Sequence, residues 1–139
     1  MNEEDYVTYK QAVKLDKLGF DWDCFLYYVS VPFKIGCEPP FHVEEIVNYS
    51  IVSIYKNNTI PCPTLSQATK WLREVKGLFI NVWLCAAGYS WEIDKSNNGT
   101  FVTKHDEESG DDENSGLFTT YEKALSAGIN KALELLTNE

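Results

Sequence analysis

Leu78-Phe79-Ile80-Asn81-Val82-Trp83-Leu84-Cys85, then Ala86-Ala87-Gly88, then Tyr89-Ser90-Trp91-Glu92-Ile93-Asp94 is the stretch on which the fold turns. Two runs rich in β-branched and aromatic residues flank a short segment of small residues, the pattern of an antiparallel hairpin about an Ala-Ala-Gly turn. Asn98 and Gly99 supply the next turn, and Phe101 to Lys104 reads as a further strand. The simplest arrangement is a meander.

Working toward the N-terminus, Gly77 marks the stop of a helix over positions 64–76. Thr64 is its expected N-cap. Leu65, Ala68, Leu72 and Val75 form its apolar stripe, with Trp71 beside them. Before that helix, positions 49–55 read as a strand. Asn57 and Asn58 tolerate a tight turn, so positions 59–62 are expected to return as a hairpin partner before Pro63. Gly36, Pro39 and Pro40 make 36–43 a loop, and positions 25–31 read as a strand stopped by Pro32. At the start, Thr8 and Gln11 have capping-box spacing ahead of Tyr9, Ala12, Val13 and Leu15. Gly19 fits the left-handed position after this helix, with Phe20 folding back on its last turn.

Toward the C-terminus, positions 105–116 hold no apolar residue and read as a mobile acidic loop. Thr119 with Glu122 has capping-box spacing. Tyr121, Ala124, Leu125, Gly128, Ile129, Ala132, Leu133 and Leu136 then give a wide apolar helical face. Helices interspersed among hairpins, without β-α-β alternation, imply an α+β fold: an antiparallel sheet with about three helices packed mainly on one face. With 139 residues, one domain spanning 1–139 is expected.

Composition narrows the function classes. An apolar share of 44% supports a real core. No window holds the about 18 uninterrupted apolar residues that a membrane span needs. The acidic opening, Met1 to Asp5, is unlike a secretory signal, so the expected location is cytoplasmic and the Asn48, Asn57 and Asn98 triplets carry no glycan meaning. Net charge is −9, but Asp106, Glu107, Glu108, Asp111, Asp112 and Glu113 hold six of the 21 acidic residues. The rest of the chain keeps 15 acidic against 12 basic residues, an ordinary balance for a soluble domain.

Pro63-Thr64-Leu65-Ser66-Gln67-Ala68 leading to Trp71-Leu72-Arg73-Glu74 and Gly77 resembles a family of small uncharacterised phage and mobile-element proteins of anaerobic gut bacteria. Tyr121-Glu122-Lys123-Ala124-Leu125 with Gly128-Ile129 and Ala132-Leu133 is similar to the same family, as is Lys17-Leu18-Gly19-Phe20 with Cys24 and Tyr27-Tyr28. The resemblance covers most of the chain. It implies a phage or prophage protein acting in a bacterial cytoplasm, and carries over no catalytic or binding residue.

Candidate chemistry is sparse. Cys24, Cys37, Cys62 and Cys85 lack zinc spacing and read as small buried hydrophobes, even with His42 counted as a possible fellow ligand. Asp111, Glu113, Ser115, Gly116 and Glu122 fit an EF-hand loop only in part: no helical pattern precedes Asp111, and Glu122 already has a capping role. Neither a metal nor a cofactor is expected. A winged helix would use Gln67, Lys70, Arg73 and Lys76 on nucleic acid, but the strand-like, proline-ended segment before Thr64 and the net acidity argue against it. The acidic surface could instead mimic DNA phosphates and block a host enzyme, although its charge is clustered rather than spaced.

Catalysis needs a group that titrates near neutrality, and His42 and His105 are the two histidines; His42 reads as a surface residue and His105 as part of the loop. No catalytic residue is assigned, and an enzyme would need a site assembled only in three dimensions. Four Trp and eight Tyr either line a large sheet-helix core or form a surface with one apolar and one wet side, and the second reading points to an interaction module that binds a host or phage protein.

Overall fold

The computed structural model describes residues 2–29, 45–48, 59–105 and 117–138. Their helices and antiparallel strands give the α+β fold expected from the sequence. The strands fall into two three-stranded sheets, and the chain divides into two compact units: residues 6–64, and residues 1–5 with 65–139.

In the first unit, α1 (Tyr9–Lys17) begins with the expected capping box: the Gln11 amide donates to Thr8 Oγ1 at 3.2 Å, and the Thr8 amide donates to Gln11 Oε1 at 2.8 Å. At its end Gly19 takes φ +99°, the Gly19 amide donates to Asp16 O, and the Phe20 amide donates to Leu15 O. These are the two bonds of a Schellman stop, and Phe20 is buried as that motif favours.

Strand β1 (Leu26–Val29) lies between β2 (Glu45–Asn48) and β3 (Thr59–Pro61), antiparallel to both. The sequence pairs β3 with positions 49–55, which lie outside the described residues, as do the loop at 36–43, the turn at Asn57-Asn58 and the rest of the strand expected to Val31. Among the described residues β3 pairs with β1, Tyr28 standing opposite Ile60. Val7, Leu15, Phe20, Val29 and Cys62 form the core of this unit. Within it the Tyr28 hydroxyl donates to Val7 O at 2.7 Å, and its ring meets Tyr9 edge-on at 5.5 Å.

In the second unit, α2 (Leu65–Val75) buries Leu65, Ala68, Trp71 and Leu72, while Val75, expected on the same stripe, is 53% exposed. Val75 stands three residues beyond Leu72 on the same side of the helix but at its final residue, and Gly77 at φ +72° follows as the chain passes into the sheet. Strands β4 (Leu78–Cys85), β5 (Gly88–Lys95) and β6 (Phe101–Lys104) form the expected meander. The β4–β5 register runs unbroken from Leu78 opposite Lys95 to Cys85 opposite Gly88, and the β5–β6 register slips at Ile93/Asp94.

Helix α3 (Tyr121–Thr137) packs on β4 and β5, and α2 packs on β4 and α3. The cap of α3 is Thr120, one residue beyond the expected Thr119. Thr120 Oγ1 accepts from the Lys123 amide at 3.1 Å, and its hydroxyl donates to Glu4 Oε1 at 2.7 Å. Glu4, in a short 3-10 turn at Glu3–Asp5, thus helps select which threonine caps the helix. Thr119 Oγ1 accepts instead from Lys123 Nζ at 3.3 Å.

Candidate functional site

Gly128 lies on α3 above Ile80 and Trp91, so these two residues mark the helix-covered face of the β4–β6 sheet. Side chains alternate along a strand, which sends Phe79, Asn81 and Trp83 to the opposite face. Register then assembles that face in rows: Phe79, Asp94 and Phe101 in one, Asn81, Glu92 and Lys104 in the next. Phe79 is 38% exposed and Phe101 56% exposed, large apolar rings left open to water on either side of a carboxylate.

The two carboxylates on this face are crowded. Hydrogen bonding to the Asp94 carboxyl pushes the pKa of Glu92 up, reinforced by partial desolvation and by the charge of Asp94; Lys104, opposite Glu92, pulls the other way. Glu92 therefore holds a proton more readily than an isolated carboxylate. A further cation placed here would favour its ionised form.

At the other end of β5 the chain leaves the sheet and rejoins it. The His105 amide donates to Trp91 O at 2.9 Å; Tyr89 and Phe118 exchange both backbone bonds, at 2.8 and 2.9 Å. His105 and Phe118 thus stand two β5 positions apart, their rings 4.7 Å between centroids. His105 also lies 6.1 Å from the Trp91 ring, and Ser90 Oγ lies 3.3 Å from its Nδ1. Sequence reasoning assigned His105 to the loop; the structure makes it an anchor on the sheet.

A serine beside a histidine invites comparison with a nucleophile and its base. Ser90 is only 1% exposed, which closes its hydroxyl to a substrate, and among the described residues no carboxylate hydrogen-bonds to the His105 ring. The pair fastens the strand junction. Beside it, the Trp91 indole N–H is buried and, among the described residues, has no hydrogen-bond partner.

The remaining candidates separate. Cys24 and Cys62 are buried in the first unit and Cys85 is half-buried in the second. Burial, then the nearby Cys62 and Asp23, pushes the Cys24 thiol from 9.0 up to about 12. Burial pushes Cys62 from 9.0 up to about 11, against a hydrogen bond with Tyr28. Both are protonated, unreactive thiols at neutral pH. Among the described residues no group of three or more His, Cys, Asp or Glu side chains is placed to hold a metal. Cys37, His42 and the loop positions of the partial EF-hand, Asp111 to Gly116, lie outside those residues; Glu122 lies in the first turn of α3.

Of the winged-helix contacts, Lys70 faces Glu74 at 4.0 Å, Lys76 Nζ sits 5.6 Å over the Trp71 ring, and Arg73 is exposed. The element before this helix is β3, where that motif places a helix. Among the described residues, no helix is long and apolar enough to cross a membrane. No protein-family model, no curated protein and no solved structure matches the chain.

Proposed function

We propose that the protein is a non-catalytic interaction module, an accessory protein of a phage or mobile element as its sequence resemblance implies. Its binding surface is the open face of the β4–β6 sheet. The observation that carries this reading is the row Phe79, Asp94, Phe101, with its two exposed rings flanking a carboxylate and Glu92 adjacent. An arginine on a partner protein suits that row, since a guanidinium stacks on aromatic rings and bonds carboxylates in the same pose. The acidic balance of the chain favours approach of such a basic surface.

The test is a binding screen against immobilised short peptides in which arginine or lysine alternates with apolar residues. Arginine peptides should be retained, more weakly as salt rises. Phe101→Ala and Asp94→Asn should each reduce retention by about tenfold, the effect of losing about 1.4 kcal/mol. Equal retention by wild type and both variants, or none by wild type, overturns the assignment of this face.

A further inference from the structure

Strand β4 ends its sheet with an edge unlike the other one. Strand β6, on the far side, is four residues long, carries Lys104 and meets β5 through a register slip, all features that discourage a further strand from adding. Strand β4 is eight residues long, runs in unbroken register, and contains no proline and no charged residue. Every second N–H and C=O along it points away from β5, and among the described residues these outward groups have no backbone partner.

We infer that β4 pairs antiparallel with β4 of a second copy of this chain, about a two-fold axis at Asn81, joining two three-stranded sheets into one of six. The strand is complementary to itself in that register. A two-fold axis perpendicular to the sheet keeps each face continuous, so Phe79 stands opposite the second copy's Trp83, and Leu78 opposite its Leu84. Leu84 is 68% exposed and Phe79 38% exposed in the single chain; both gain an apolar or aromatic cross-strand neighbour of the kind that stabilises sheets. Asn81, exposed and on the axis, meets its own copy, and two amides can donate and accept reciprocally. An acidic chain resists self-association wherever its charges face one another; this strand offers none. The inference rests on the β4 edge alone and stands whether or not the open face binds a basic partner.

Light scattering and sedimentation on the full chain should give a dimer that dissociates on dilution. Asn81→Lys places two like charges about 5 Å apart at the axis and should give a monomer with an unchanged circular dichroism spectrum. If that variant fails to fold, Asn81→Cys decides instead. Under mild oxidation it should form a reducible dimer faster than Lys104→Cys, which lies on the opposite edge. A monomeric wild type overturns the inference, as does a dimer that survives Asn81→Lys. Cross-linking of Val82→Cys in preference to Asn81→Cys overturns the pairing as well.

Discussion

A Cβ placed on Gly128 would lie 2.7 Å from Cγ2 of Ile80 and 3.5 Å from Cβ of Trp91. The approach to Ile80 is shorter than real contacts allow, so the missing side chain is what lets α3 settle on β4 and β5. Ile80 is β-branched and buried, so its methyl cannot simply swing away.

Gly128→Ala should therefore destabilise the protein by up to about 2 kcal/mol, because overpacking of about 1–3 kcal/mol is set against a gain of about 1 kcal/mol in helix propensity. Gly128→Leu should cost more. In a double-mutant cycle by urea denaturation, Gly128→Ala and Ile80→Ala should be less than additive, since removing the Ile80 methyl vacates the space. Full additivity would place the strain elsewhere.

Gly88, at φ +151°, carries a second such constraint: a Cβ there would lie 2.6 Å from Phe118 O and 2.9 Å from Leu117 Cβ. Gly88→Ala should cost about 2–4 kcal/mol from backbone strain plus overpacking. Gly99→Ala, at φ +74° with open space around it, is the control for strain alone and should cost about 1 kcal/mol. Equal losses in thermal denaturation would mean that Phe118 yields freely.

Much of this was legible in the sequence and some was not, for physical reasons. Thr8 with Gln11 and Gly19 with Phe20 are local devices, complete within a few residues, and the structure realises both as read. The hairpin of β4 and β5 is local too. The pairing of β3 with β1 joins residues 30 or more positions apart, and no short-range pattern encodes it. Gly128 could be placed on the core face by periodicity; Trp91 lies beneath it, while Trp83 is on the other side of the sheet. Ile80, the closest, carried no signal beyond being apolar. The open face was hidden because Phe79, Asp94 and Phe101 meet only through register across three strands.

His105 and Phe118 are fixed on β5 two positions apart, roughly 7 Å along the strand, so a short link can join them. Replacing residues 106–116 by a four-residue Gly-Ser linker should leave the thermal midpoint nearly unchanged. A midpoint that drops by about 10 °C or more would correspond to losing over 1 kcal/mol and would give that segment a structural role. A wild-type midpoint that rises on adding calcium would give it a cation site.

The thiols of Cys24 and Cys62 report on the first unit. Their folded pKa values lie above 9.0, at about 12 and about 11, so the folded state keeps protons that the unfolded state releases. Their contribution to stability is present below pH 9 and is lost as pH rises through the two folded values. Denaturation midpoints should fall across that window, by less in Cys24→Ala than in wild type. In a Cys37→Ser background, iodoacetamide at pH 8 should label half-buried Cys85 well before either of them, as mass spectrometry would show.

Glu92 tests the crowding on the open face. Its raised pKa comes first from Asp94, so Asp94→Asn should move its titration, followed by NMR at the side-chain carboxyl, back toward the ordinary carboxylate value. The sign for stability follows: a raised carboxyl favours the folded state at low pH, and that benefit is lost as pH rises through the folded pKa. The variant should gain on wild type over that interval. An unmoved midpoint would leave desolvation as the cause.

The two anchors on β5 also make the junction a socket. Chain entering at His105 and leaving at Phe118 need never disturb the ladder, and closing a longer excursion costs only about 0.6 kcal/mol for each doubling of its length. A foreign epitope, or a whole folded domain with adjacent termini, could be carried there while α3, β4 and β5 remain as they are.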